Sequence, residues 1–128
     1  MSSHQAIDAL TALVIGGTGP TGHFIVNGLL TRGYRVAILH TGNHEVAEIP
    51  PIVEHIHTDP YDRVCLTNAL AERRFTLCIA AYGRLRVIAE LMRERCDSFI
   101  SIGGQPCYLG YMNPCVHVPE GLVVPTDE

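Results

Sequence analysis

An α/β domain built on a doubly wound parallel sheet of about five strands is the fold class this sequence predicts, and three observations carry that prediction. Short apolar runs alternate along the chain with longer segments of helical spacing, the pattern of repeated β-α-β units. One run, TLCIAAY, is continuous and apolar, as a strand covered on both faces is. The first run opens at once into the glycine-dense stretch GGTGPTG, and a helical segment starts directly after it.

Each element follows in order. The first strand is TALVIG, residues 11–16. A helix over about residues 21–32 sets Ile25, Val26, Leu29 and Leu30 on one face, and Gly33 is placed to end it. Gly28 lies inside that helix, where glycine costs about 1 kcal/mol relative to alanine unless close packing uses the missing side chain. The second strand is YRVAILH, residues 34–40, and TGNHEVAEIPP reads as a loop with at most a short helical turn. IVEHIH, residues 52–57, is the third strand; a helix over about residues 62–73 then turns Leu66, Ala69 and Leu70 inward. TLCIAAY, residues 76–82, is the fourth strand, and a helix over about residues 84–95 presents Leu85, Ile88, Leu91 and Met92. SFISIGG, residues 98–104, is the fifth. Right-handed crossovers between these elements give the strand order 3-2-1-4-5. Beyond Gly104 the period dissolves into a segment punctuated by prolines, read as a loop with one short extended piece at residues 121–124. Residues 1–104 are thus expected to form the domain and residues 105–128 a C-terminal loop.

Composition narrows the function. A chain of 128 residues that is 47% hydrophobic and 17% charged has room for one domain with a real core. The net charge is −4 and the positive residues are all arginine, scattered rather than clustered, so a nucleic-acid partner is not expected. No positive residue precedes Arg32, and Asp8 and Thr11 interrupt the apolar N-terminal segment. Neither a secretory leader nor a membrane span is indicated, and a soluble, cytoplasmic protein is expected. The five cysteines, at 65, 78, 96, 107 and 115, contain no CxxC pair and read as free thiols. Cys65, Cys78 and Cys96 are expected to act as small hydrophobes; Cys107 and Cys115 fall in the loop-like tail.

The glycines of GGTGPTG each have a physical task. Gly16 and Gly17 let the chain turn sharply off the strand, and Gly19 leaves no side chain between the backbone and a ligand. Gly22 allows close packing of helix on sheet. Pro20 stands beside the helix start, where a fixed φ helps and a missing N–H costs nothing. The helix N-terminus is a natural anion site. Strand, G-x-G-x-x-G and amphipathic helix in the first β-α-β unit together predict a Rossmann-type site for a dinucleotide pyrophosphate. A mononucleotide P-loop is excluded, since its Gly-Lys-[Ser/Thr] is absent.

GGTGPTGHFIVNGLLTRGYRVAIL resembles the start of the extended and atypical short-chain dehydrogenase/reductase superfamily, in particular its NAD-dependent epimerase/dehydratase-like branch and NmrA-like relatives. The resemblance continues through HIHTDPYD, FTLCIAAYG, DSFISIGGQPCYLG and VPTDE, and so along nearly the whole chain. It implies that Gly16, Thr18, Gly19, Pro20, Thr21 and Gly22 surround the pyrophosphate. It implies that Asp59, with the Pro60 backbone beside it, meets the adenine, and that Ala80, Ala81 and Tyr82 border the ribose next to the nicotinamide. The alternatives are an N-cap role for Asp59 and plain core packing for Ala80 and Ala81.

Cofactor choice turns on the end of the second strand. An acid there binds the ribose 2′-OH of NAD, and a nearby arginine accommodates the 2′-phosphate of NADP. This chain has His40 in that slot, followed by Thr41, Gly42, Asn43 and His44. NADP or NAD is expected, with NADP favoured because no carboxylate repels its phosphate; His40 or His44 would then help to bind it. His55 and His57 alternate on a strand and share a face, which suits two metal ligands. No third ligand is evident by spacing, so a solvated or hydrogen-bonded face is the reading and no metal is expected.

Catalytic members of the resembled superfamily carry a Tyr-x-x-x-Lys pair with a serine or threonine near the end of strand five, in which lysine lowers the tyrosine pKa for proton transfer. This chain has no lysine, Gly103 and Gly104 stand near the hydroxyl position, the resemblance aligns Tyr108 with a tyrosine outside the proton relay, and Tyr111 precedes Met112 and Asn113 with no cation in reach. No catalytic residue is therefore assigned. The resembled chains continue well past VPTDE, so this one is expected to be the cofactor half of an epimerase/dehydratase-like oxidoreductase, inactive by itself. Strand five would then be an apolar edge that invites self-association or a companion C-terminal half. Two other readings are a non-catalytic NAD(P)-dependent redox sensor acting through a protein partner, and a remnant that binds nothing.

Overall fold

The computed structural model describes residues 9–103 together with residues 113 and 115. Its elements run β1 (Thr11–Ile15), α1 (Gly22–Thr31), β2 (Arg35–His40), β3 (Glu54–His57), α2 (Arg63–Leu70), β4 (Phe75–Ala80), α3 (Leu85–Met92) and β5 (Cys96–Ser101). The five strands pair in parallel in the order β3-β2-β1-β4-β5, as the crossover rule requires. β1 is central because its residues are apolar on both sides. Leu13 and Ile15 face one layer with Ala37, Leu39, Cys78 and Ala80, while Ala12 and Val14 face the other with Val36, Ile38 and Ile79.

The helices divide between those two layers. Val26 and Leu29 of α1 are buried in the second layer, with Ile25 and Leu30 packed against it. Leu66 and Leu70 of α2 and Ile88 and Met92 of α3 are buried in the first, joined by Ala69, Leu85 and Leu91. These are the faces the helical spacing predicts, and each fully buried leucine or isoleucine contributes about 1.5–3 kcal/mol by leaving water. Between β2 and β3 no helix forms among the described residues. The loop instead folds over the α1 side, burying Ile49 and Val53, and the Asn27 side-chain amide donates to the Glu48 carbonyl at 3.1 Å.

Several boundaries differ from expectation for local reasons. β3 begins at Glu54 rather than at Ile52, because the turn in which Val53 N–H bonds the Pro50 carbonyl leaves Ile52 exposed. α2 stops at Leu70, since Ala71 leaves helical geometry at φ +46°. β5 starts two residues early, at Cys96, which pairs with Phe75, and it ends at Ser101. Cys65 is exposed in the first turn of α2 and is not the small core hydrophobe expected; Cys78 is buried and Cys96 intermediate. Around Gly28 the only atom an added Cβ would meet is Arg32 Nη1 at 3.4 Å, so close packing does not account for that glycine. Among the described residues, no helix is long and apolar enough to cross a membrane. The readings placed on Cys107, Tyr108, Tyr111 and residues 121–124 lie outside the described residues.

Candidate functional site

The C-terminal ends of β1, β2 and β4 open onto a cavity of about 440 Å³ lined by Gly16, Thr18, Gly19, Pro20, Thr21, His40, Thr41, His44, Ala81 and Tyr82. This is where open parallel sheets bind ligands, at the point where strand order reverses. Two backbone bonds frame it: Gly16 N–H donates to the Leu39 carbonyl and Ala81 N–H to that of Ile15, each at 3.1 Å.

The glycine loop is as tight as a backbone allows. Gly16 has φ +93°, and a Cβ there would lie 2.7 Å from Tyr82 Cβ. One on Gly17 would meet Ile38 Cγ2 at 2.7 Å, and one on Gly22 would lie 2.8 Å from Gly17 Cα and closer still to the Gly17 carbonyl. Protein packing therefore explains these three glycines. Gly19 is different, since the nearest atom to a Cβ there is the Gly16 carbonyl oxygen at 3.6 Å. Its bare backbone faces the cavity. α1 starts at the far end of this loop with no side-chain cap from Thr21 and no acid in its first turn, so its own first turn sets no negative group against its N-terminal dipole.

Of the residues singled out from the sequence, Gly16, Thr18, Gly19, Pro20, Thr21, His40, Thr41, Ala81 and Tyr82 line the cavity. Gly22 is buried behind the loop, and Ala80 is fully buried in the core. Asp59 and Pro60, which follow β3, do not line the cavity, and Pro60 is fully buried. Asp59 does not cap α2: its carboxylate accepts the Tyr61 N–H at 2.8 Å, and Asp62 is the cap, accepting from Cys65 N–H at 2.8 Å. Tyr61 stands edge-on to Tyr82, with ring centroids 5.2 Å apart, which connects the Asp59 turn to the cavity wall. Hydrogen bonding with Tyr61 holds the Tyr82 phenol above its ordinary pKa, the reverse of what a proton-relay tyrosine requires.

His40 is only 3% exposed. Its Nδ1 accepts the Gly42 N–H at 3.2 Å, and its Nε2 lies 3.0 Å from His55 Nδ1. Burial, and next the neighbouring His57 ring, hold its pKa below the ordinary histidine value. Both ring nitrogens are thus engaged inside the protein, whereas His44 stands in the cavity wall. The sequence reading did not separate these two histidines.

Comparison with solved structures agrees with the fold. A short-chain dehydrogenase family protein from Francisella tularensis is similar at TM-score 0.63 and 14% identity, over 79% of this chain and 53% of its own. A UDP-galactose 4-epimerase is similar at TM-score 0.63 and 17% identity, over 81% of this chain and 41% of its own. The UDP-glucose 4-epimerase of Thermus thermophilus, solved in complex with NAD, shares 31% identity at TM-score 0.50, over 63% of this chain and 27% of its own. This chain therefore spans about half, or less, of the length of these proteins. No family model matches it, and no curated protein does. In fold, the chain is a Rossmann-type domain of the kind found in epimerases and short-chain dehydrogenases.

Proposed function

We propose that this chain binds a nicotinamide dinucleotide and is the cofactor-binding part of an epimerase/dehydratase-like oxidoreductase. The observation that carries the reading is Gly19, a glycine that no contact among the described residues requires, facing a cavity at the open end of the sheet. Likeness to epimerases, one of them an NAD complex, supports it. The pyrophosphate lies along Gly16, Thr18, Gly19, Pro20 and Thr21, and Gly22 holds helix and loop close enough to aim the helix N-terminus at it. Asp59 and Pro60 face the adenine end; Ala81 and Tyr82, with Ala80 beneath them, border the nicotinamide ribose. His44 rather than His40 meets a 2′-phosphate, because both His40 nitrogens are engaged elsewhere.

Hydride chemistry belongs to the dinucleotide; this chain's residues bind and orient it. A Tyr–Lys relay has no lysine to draw on within these residues, so proton transfer and the substrate part come from outside them. β5, the edge strand among the described residues, carries half-exposed Ile100 and is followed by half-exposed Ile102, and it is where a companion segment or a second copy would continue the sheet. The four described cysteines are free, in keeping with a reducing, cytoplasmic setting.

Parallel calorimetric titrations with NADP(H) and NAD(H) test the reading. Micromolar binding of either supports it, and a His44→Ala variant should lose NADP affinity while keeping that for NAD. A folded protein that binds neither refutes it.

A further inference from the structure

Beside the cavity, three imidazoles and one carboxylate converge from three parts of the chain. His40 ends β2, and the parallel register sets it opposite His57. His55 and His57 lie two residues apart on β3 and so on one face. Glu45 arrives from the β2–β3 loop. His40 Nε2 is 3.0 Å from His55 Nδ1. One Glu45 oxygen lies 3.5 Å from His55 Nδ1 and the other 3.5 Å from His57 Nε2. One donor atom from each of the four residues falls within 4.8 Å of every other.

We propose that His40, Glu45, His55 and His57 bind one divalent transition-metal ion of the zinc kind, which clips the β2–β3 loop to the end of the sheet. A tetrahedral zinc ion with ligands at about 2.0–2.1 Å holds its donor atoms about 3.3–3.4 Å apart. The His40–His55 separation of 3.0 Å and, for whichever Glu45 oxygen serves as ligand, one carboxylate–imidazole separation of 3.5 Å lie within a few tenths of an ångström of that spacing, and the remaining donor atoms lie within 4.8 Å. Three imidazole nitrogens and one carboxylate suit zinc and its neighbours rather than calcium or magnesium, which take oxygen ligands. The ring centroids are 4.7 to 6.0 Å apart, so any two protonated rings would repel, whereas one dication serves three lone pairs at once. Entry is open, since the side chains of His57 and Glu45 are 54% and 59% exposed.

The backbone supplies a reporter. With Gly42 N–H donating to His40 Nδ1, the neutral ring carries its proton on Nε2, facing His55. An ion on Nε2 requires the proton on Nδ1 instead, so the Gly42 amide must turn away. Gly42, at φ +87°, is a residue that can make that rotation. Because His40, Thr41 and His44 also wall the cavity, the ion would fix that wall in place. The proposal does not depend on what fills the cavity.

The test uses the full chain, stripped with a chelator and titrated calorimetrically with Zn²⁺ alone. Co²⁺ serves in parallel as a spectroscopic probe, and the Gly42 amide resonance is followed by NMR. One equivalent of zinc, an intense visible cobalt band of tetrahedral type and a shifted Gly42 amide are expected. His57→Ala and Glu45→Gln alter exposed side chains and should leave the fold intact. Each should weaken binding by more than about 100-fold, beyond the 10–100-fold typical of losing an outer-shell partner. No uptake, or uptake that both variants leave unchanged, overturns the proposal.

Discussion

Adding one methyl group at two positions three residues apart should separate folding from ligand binding. At Gly22 the new Cβ would lie 2.8 Å from Gly17 Cα and closer to the Gly17 carbonyl. These are backbone atoms that no rotamer change can move, so helix and loop would have to part by about an ångström, opening the layer that buries Val26. Overpacking typically costs about 1–3 kcal/mol, and contacts this short with backbone atoms put Gly22→Ala at about the top of that range. At about 4–8 °C per kcal/mol for a domain of this size, Gly22→Ala should melt at least about 12 °C below wild type. At Gly19 the nearest atom is 3.6 Å away, an ordinary contact, and φ lies outside the left-handed region. Gly19→Ala should therefore leave stability within about 1 kcal/mol of wild type, or raise it slightly by restricting the unfolded chain. Its methyl would instead occupy the surface where a pyrophosphate must approach, and tenfold weaker dinucleotide binding corresponds to only about 1.4 kcal/mol. Thermal denaturation by circular dichroism, paired with calorimetric titration, reads both effects. A Gly22→Ala protein that melts like wild type refutes the packing argument. A Gly19→Ala protein that binds dinucleotide like wild type refutes the role given to the bare backbone.

Gly28→Ala should stabilise the domain by about 0.5–1 kcal/mol, because α1 gains helix propensity and the methyl meets only the end of Arg32; chemical denaturation checks this, and a lower midpoint would show packing that the structure lacks. Burial pushes the Cys78 thiol up to about 12, so a thiol reagent at mildly alkaline pH should label exposed Cys115 and leave Cys78 untouched until the protein unfolds. Hydrogen bonding from Cys65 holds the Asp62 carboxyl below its ordinary value of 3.8. The helix-cap stability it provides is present above that pH and lost as pH falls through the lower folded value. An Asp62→Ala variant should be less stable at neutral pH and show a shallower acid-side decline, as followed by denaturant titrations from pH 6 to about pH 2.

What the sequence made legible follows from where the physics is local. Strand order could be read because short apolar runs alternate with helical segments at three of the four crossovers, so handedness rules leave few topologies. The buried faces of the helices could be read because Val26 with Leu29, Leu66 with Leu70 and Ile88 with Met92 lie three or four residues apart. Cys65 could have been placed by the same rule: it precedes Leu66 by one residue, about 100° off the buried stripe, and so points to water. Asp59 and Asp62 were harder. Both follow β3, both can cap a helix, and Pro60 lies between them. Only the turn itself, in which Tyr61 N–H bonds Asp59, sets Asp62 at the helix start.

The glycine loop and the histidine cluster show the two limits of such reading. G-x-G-x-x-G is a continuous stretch whose geometry is set by its own backbone, so strand, loop and helix N-terminus could be assembled from sequence alone. The cluster is assembled from β2, β3 and a loop residue, and no spacing within one segment reveals it. Alternation places His55 and His57 on one face. It does not show that His40 stands opposite His57, which depends on how β2 and β3 register after a connection without a helix. Nor does it show that Glu45 folds back, which follows from Ile49 and Val53 burying themselves against the α1 side of the sheet. The apolar anchoring of the loop thus brings Glu45 to the histidines. Ile49→Ala should loosen that anchor and weaken zinc binding although Ile49 is no ligand, while a surface change such as Arg86→Ala should not. Equal zinc affinity in the two variants would show that Glu45 reaches the histidines without the packing assigned to it.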